Sequence, residues 1–235
     1  NIIMIQLTKL EPEKIINSVS ILEKRISDRF PESGLKDVCR EFLILAEQTK
    51  KNIAYISKPN IPLKVFSYLI IGIGLGGMFF SLSFINYKVN TFDLEQVISL
   101  SNGIFNNLFL IGAAFLFLVT MESRIKRKRA IKSLHKLRVI SHVIDMHQLT
   151  KDPYMHDSTK ATKNSPKRSY SKFELQRYLD YCSEASALIG KVAALYAQSL
   201  PDEVIVSSVN EIEVLTTGLS RKIWQKIVVI QNLET

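Results

Sequence analysis

Cysteine is scarce in this chain of 235 residues: Cys39 and Cys182 are its only two. They lie far apart, and neither belongs to a CxxC or to a Cys/His pair at zinc spacing. That excludes a disulfide framework and a zinc ribbon, and leaves two buried reduced thiols as the expectation. Catalytic signatures are missing too, with no GxSxG, Walker loop, HExxH or DxDxT. No alternation of apolar and polar residues marks a strand, and no segment repeats. Charge is nearly absent from two long stretches. Between residues 63 and 87 the one charge is Lys64, and residues 103–121 carry none. A helix of about 20 apolar residues covers the ~30 Å hydrocarbon core of a bilayer, so both stretches are expected to cross a membrane.

What remains is helical in pattern, and the expected fold is all-α: a two-helix transmembrane hairpin with a helical cytoplasmic domain built from the N- and C-terminal segments. Residues 1–62 read as a helical hairpin. Ile15, Val19, Leu22, Ile26 and Phe30 recur at 3–4 spacing, Pro12 fits a first helical turn and Pro31 stops the helix. A second helix after Ser33-Gly34 continues the rhythm through Leu35, Val38, Phe42, Leu45, Thr49, Ile53 and Ile56, until Pro59 and Pro62 break it. Residues 63–87 form the first span, 88–102 an external loop and 103–121 the second span. With amphipathic sequence preceding the first span, no secretory signal is expected.

Lys50, Lys51, Lys58 and Lys64 precede the first span, and Arg124, Lys126, Arg127, Lys128, Arg129 and Lys132 follow the second. The connecting loop has one Lys together with Asp93 and Glu95. The positive-inside rule then places both termini in the cytoplasm of a bacterium, with the spans in its inner membrane. In a cyclic oligomer Asp93 and Glu95 would line the outer mouth; in a monomer they are loop carboxylates.

Gly72 and Gly76 have GxxxG spacing, and Gly112 with Ala113 and Ala114 offers a small-residue counterpart on the second span. Gly72, Gly74 and Gly77 also satisfy GxGxxG, but no strand precedes them, so helix packing is the expected role. Asn106 and Asn107 lie about one turn inside the outer boundary of the second span. Amides at that depth face a partner helix or water, so they serve an interhelical hydrogen bond, an interfacial position or a pore lining.

The second span runs without a breaker into a basic stalk, residues 122–150, giving a helix of nearly fifty residues. Ile131, Leu134, Leu137, Ser141 and Ile144 make its packed stripe. Residues 151–171 lose periodicity and read as a basic flexible loop. Residues 122–170 hold thirteen Lys/Arg against four Asp/Glu, an excess equal to the net charge of +9. Residues 172–235 form a helical pair. Leu179, Cys182, Ser186, Ile189, Ala193 and Tyr196 share one face of the first helix. Ile205, Ile212, Leu215, Leu219, Ile223, Ile227 and Ile230 share one face of the second.

His135, Arg138, His142 and Asp145 form one ionisable stripe along the stalk. His135 and His142 are two turns, about 10 Å, apart, so a single ion cannot bind both, and neither a metal nor a cofactor is expected. The stripe reads either as an anion-binding face, with Asp145 holding the His142 imidazole, or as a polar face bonded to a neighbouring subunit. Glu174, Asp180 and Glu184 read as a solvated face, Glu211 and Glu213 point to different faces, and Trp224 is expected in the core. Arg129 and His135 resemble the R-x4–6-H pair of HEPN ribonucleases, which implies acid–base cleavage of RNA at a dimer interface. No other catalytic signature accompanies the pair, and the chain is not expected to be an enzyme.

In span number, terminal helices and basic cytoplasmic charge, the chain resembles the two-span channel effectors of bacterial anti-phage defence, including the Hailong-type effectors. The resemblance is architectural and transfers no site residues. It implies a homo-oligomeric pore of four or more subunits, gated by a nucleotide or short oligonucleotide. Arg124, Lys126, Arg127, Lys128, Arg129 and Lys132, with His135, Arg138 and His142, would then contact phosphate. The alternative expectation is a membrane-anchored scaffold that binds a partner protein.

Overall fold

The structure, a computed structural model, describes residues 9–83, 94–151 and 170–232. Among them every regular element is a helix: α1 Pro12–Arg29, α2 Gly34–Ser57, α3 Ile61–Ser83, α4 Leu94–Leu149, α5 Lys172–Ser199 and α6 Glu203–Asn232. They fall into two compact units, one made of Asn1–Ser57 with Arg127–Thr235 and the other of Lys58–Lys126. The helix α4 contributes to both.

The first unit is a helical bundle whose core follows the apolar stripes. In α1, Ile15, Val19, Leu22 and Ile26 are buried, Pro12 fills the first turn, and the Phe30 amide closes the last turn on the Ile26 carbonyl at 2.8 Å. Ser33 bonds back to the Phe30 carbonyl at 2.9 Å, which turns the chain into α2. Leu35, Phe42, Leu45, Thr49, Ile53 and Ile56 of α2 are buried, and Val38 is half-buried. Leu134, Leu137, Ser141 and Ile144 of α4 are buried, and Ile131 is half-buried against the same core. Burying one such Leu or Ile contributes roughly 1.5–3 kcal/mol.

Helix α5 is the centre of this unit, with Leu179, Cys182, Ser186, Ile189, Ala193 and Tyr196 all buried. Ser171 and Glu174 close its N-terminus as a capping box, each side chain bonding the other residue's amide. Asp202 caps α6, its Oδ1 accepting from the Val204 amide at 3.1 Å. Gly190 brings α5 close to α6: a Cβ there would lie 3.2 Å from Thr216 Oγ1. A polar junction in this core joins three helices. Tyr196 donates to Thr49 Oγ1 at 3.3 Å, and Asn52 Nδ2 donates to Ser133 Oγ at 3.0 Å and to the Tyr196 hydroxyl at 3.4 Å.

The second unit holds α3 and the N-terminal part of α4, each long and apolar enough to cross a membrane. Their side chains face outward: Tyr68 is 70% exposed, Phe79 76%, Phe105 70% and Phe109 74%. Water does not tolerate an apolar surface of that extent, whereas hydrocarbon does. At the base of the hairpin the Asn60 amide donates to Glu122 Oε1 at 2.9 Å, and Lys126 Nζ bridges Glu122 Oε1 at 2.8 Å and the Lys58 carbonyl at 2.7 Å.

Three expectations change. Helix α4 starts at Leu94, so residues 94–102, read as external loop, are helical. Leu94, Val97 and Ile98 do repeat at helical spacing there, but over a single turn between polar residues. The close approach of the hairpin falls on Gly74, where a Cβ would sit 3.2 Å from Ile111 Cγ1, and not on Gly72, Gly76 or Gly112, which have open space around them. Trp224, expected in the core, is 61% exposed.

Candidate functional site

The candidate site is the cationic stretch of α4, and the fold divides its residues into two groups. Arg127 sends Nε (2.9 Å) and a terminal nitrogen (2.6 Å) to Asp202 Oδ2. That carboxyl is held below the usual carboxylate range, chiefly by this bond. Because Asp202 also caps α6, Arg127 ties α4 to the α6 N-terminus. Arg138 pairs with Glu211 of α6. The Arg129 guanidinium lies over the Tyr55 ring at 4.0 Å from its centroid. Lys126 belongs to the hairpin base already described. These four cations are held by the chain itself.

Lys128, Lys132, His135 and His142 are exposed and make no hydrogen bond or ion pair among the described residues, and the same holds for Arg124. Lys128, Lys132, His135 and His142 share one helix face with Val139, Met146 and Leu149, at alternating spacings of four and three, and all seven are exposed. This second stripe was readable from the sequence by the same periodicity that marked the buried one. Beside it runs a groove of about 300 Å³ between α2 and α4, lined by Glu41, Ile44, Leu45 and Gln48 with His135, Lys136, Val139 and Ile140.

Asp145 does not hold His142: its Oδ1 accepts from Gln148 Nε2 at 2.6 Å, one turn on in α4. Arg129 and His135, six residues apart on one helix, lie on different faces, and Arg129 is committed to Tyr55. Among the described residues no three His, Cys, Asp or Glu side chains come together in a way that would hold a metal ion. Cys39 and Cys182 are buried free thiols; burial pushes Cys39 up to about 12 and raises Cys182 further, which leaves both inert at neutral pH.

Asn106 and Asn107 are exposed on α4, and no hydrogen bond ties either amide to another described residue. Gly72, Gly76 and Gly112 are exposed as well. Asp93 and the Glu95 side chain lie outside the described residues.

A second cluster escaped the sequence reading because its members are remote in the chain. Arg25, Asp28 and Arg29 of α1 and Arg177 and Tyr181 of α5 line an open pocket. Arg25 pairs with Glu184 at 2.8 Å, Arg177 with Asp180 at 3.2 Å, and Arg29 stacks on Phe173 at 5.3 Å. Glu184 and Asp180, read as solvated, are thus ion-paired, and Glu174 serves the α5 cap. The carboxylates balance these arginines, so the pocket is not a strong anion site. No known protein family, curated protein or solved structure matches the chain.

Proposed function

We propose that the chain is one subunit of a homo-oligomeric membrane channel. Its spans are α3 and the N-terminal part of α4, both termini lie on the cytoplasmic side of a bacterial inner membrane, and the helical unit controls opening. The observation that carries the reading is the pair of exposed amides, Asn106 and Asn107, in a stretch of α4 that is otherwise apolar. A buried amide without a partner in hydrocarbon is costly. Neighbouring copies, or water in a path between them, supply what the single hairpin does not. Two helices cannot enclose such a path, whereas a ring of four or more subunits could. The open faces of Gly72 and Gly76 admit another helix closely, and the exposed apolar members of the α4 stripe, Val139, Met146 and Leu149, suit contact with further copies.

Of the predicted cations in the helical unit, Lys128, Lys132, His135 and His142 are left for an anionic ligand, a nucleotide or short oligonucleotide in this reading, as in the defence effectors the architecture resembles. Ion flux through proteoliposomes, with and without oligonucleotides, tests it. Flux proportional to inserted protein, abolished by Asn106→Leu with Asn107→Leu, is the expected result. No flux from inserted oligomers under any ligand condition overturns it. One observation favours a membrane-anchored scaffold instead: α6 exposes Trp224 at 61% and Val214 at 74%, large apolar side chains suited to a protein partner. A scaffold keeps its activity in cells when both spans are exchanged for an unrelated hairpin, whereas a channel loses it.

A further inference from the structure

The C-terminal end of α4 is fastened by contacts that none of the preceding function requires. The His147 imidazole lies against Gly34, the first residue of α2, where a Cβ would come within 2.6 Å of its Cε1. Its Nδ1 is 3.5 Å from the hydroxyl of Tyr178, a buried residue of α5. One turn on, the Lys151 ammonium stands over the rings of Tyr170 (4.5 Å) and Tyr178 (4.9 Å). Between them the Gln148 carbonyl accepts from the Lys151 amide at 3.1 Å and from Lys226 Nζ of α6 at 2.7 Å. Helices α2, α5 and α6 thus all grip the last turn of α4.

We propose that this grip is a proton-operated clasp, closed when His147 is neutral and opened when it takes up a proton. Among the described residues the charged and titratable groups around it are few. From α4 come Asp145, already committed to Gln148, and Lys151 just beyond its end. Tyr170 stands just before α5, from α5 come Tyr178 and Cys182, and from α6 comes Lys226. Helix α2 offers Gly34, which has no side chain, and the buried Cys39. A proton on His147 therefore adds a third cation to Lys151 and Lys226, with no uncommitted carboxylate among these groups to receive it.

Burial, and then the Lys151 charge, lower the His147 pKa from its ordinary 6.5; burial lowers that of Lys151 as well. The sign follows from linkage. A released imidazole takes up its proton near 6.5, and the clasped one only at lower pH, so the clasp is fully closed above 6.5 and weakens as pH falls through the clasped value.

Hydrogen exchange of the full chain in lipid nanodiscs, followed in peptides spanning residues 141–151 and 172–182, tests this without any assumption about channel activity. Rates at pH 7.5 and 5.5 are corrected for intrinsic exchange. The wild type is expected to lose protection there by up to about tenfold at pH 5.5, the limit set by one unit of pH below the free imidazole value. His147→Gln, which is polar and does not titrate, is expected to show no such loss. Gly34→Ala, whose methyl displaces the imidazole, should reproduce the acid-like exchange already at pH 7.5. Equal loss of protection in wild type and His147→Gln, or none in wild type, overturns the proposal.

Discussion

Replacing Arg127 by Ala separates the cations that hold the fold from those left for a ligand. Arg127 makes two charge-assisted bonds to one carboxylate oxygen of Asp202, whose side chain is 13% exposed while that of Arg127 is 41% exposed. A hydrogen bond to a charged group contributes roughly 1.5–3 kcal/mol, and the open flank of the guanidinium reduces that by solvent screening. The expected cost of R127A is about 1–2 kcal/mol, or a melting-point drop of roughly 2–8 °C for a domain of this size. Thermal unfolding of the full chain in detergent reads it. The double variant Lys128→Ala with Lys132→Ala should melt within about 1 °C of the wild type, since exposed unpaired lysines contribute little. A pH series adds a second criterion. The Asp202 pKa is depressed from its ordinary 3.8, so its contribution is present above that value and lost as pH falls through the folded one. This acid-sensitive part should shrink in R127A to what the Val204 and Ile205 amides sustain. Equal stability of R127A and wild type, or a larger loss from the lysine pair, would refute the division of the cations.

Tyr196→Phe removes the hydroxyl that joins α5 to Thr49 and Asn52 and should cost about 1 kcal/mol in chemical denaturation, with no change in helix content by circular dichroism. Gly74→Leu places a side chain where Ile111 stands and is expected to separate the hairpin, read as lost cross-linking between cysteines introduced on α3 and α4. Gly72→Leu meets open space in the single chain and should leave that cross-link intact while lowering the oligomer mass by native mass spectrometry.

The helices were legible wherever one face alone is buried. The stripes of α1, α2, α5 and α6, and the inner stripe of α4, repeat at 3–4 spacing in the sequence and are the core of the bundle. The apolar character of α6 points to a core Trp224, but the register turns it outward. The buried positions of α6 include Leu219, Ile223 and Ile227, and Trp224 stands one residue beyond Ile223, about 100° around the helix. The start of α4 lies in residues 94–102, where the helical spacing of Leu94, Val97 and Ile98 spans only one turn and does not stand out from a loop. The candidate site was legible as a basic stretch but not as a division. That Arg127 meets Asp202 and Arg138 meets Glu211 depends on how α6 packs, and no local pattern encodes it. Periodicity alone would have revealed the exposed stripe from Lys128 to Leu149.

The junction of Thr49, Asn52, Ser133 and Tyr196 bears on how this bundle arrives at one arrangement rather than several. Helices cored by Leu, Ile and Val can slide past one another by a turn, about 5.4 Å, and still meet apolar side chains. A slide of α5 by one turn would carry the Tyr196 phenol away from Thr49 and Asn52, leaving the buried Thr49 hydroxyl and the half-buried Asn52 amide each with one partner fewer. The polar junction thus acts as a key that fits one register. Its loss is expected to appear less as lower stability than as a population of alternative packings, visible as doubled or broadened methyl resonances from α2 and α5.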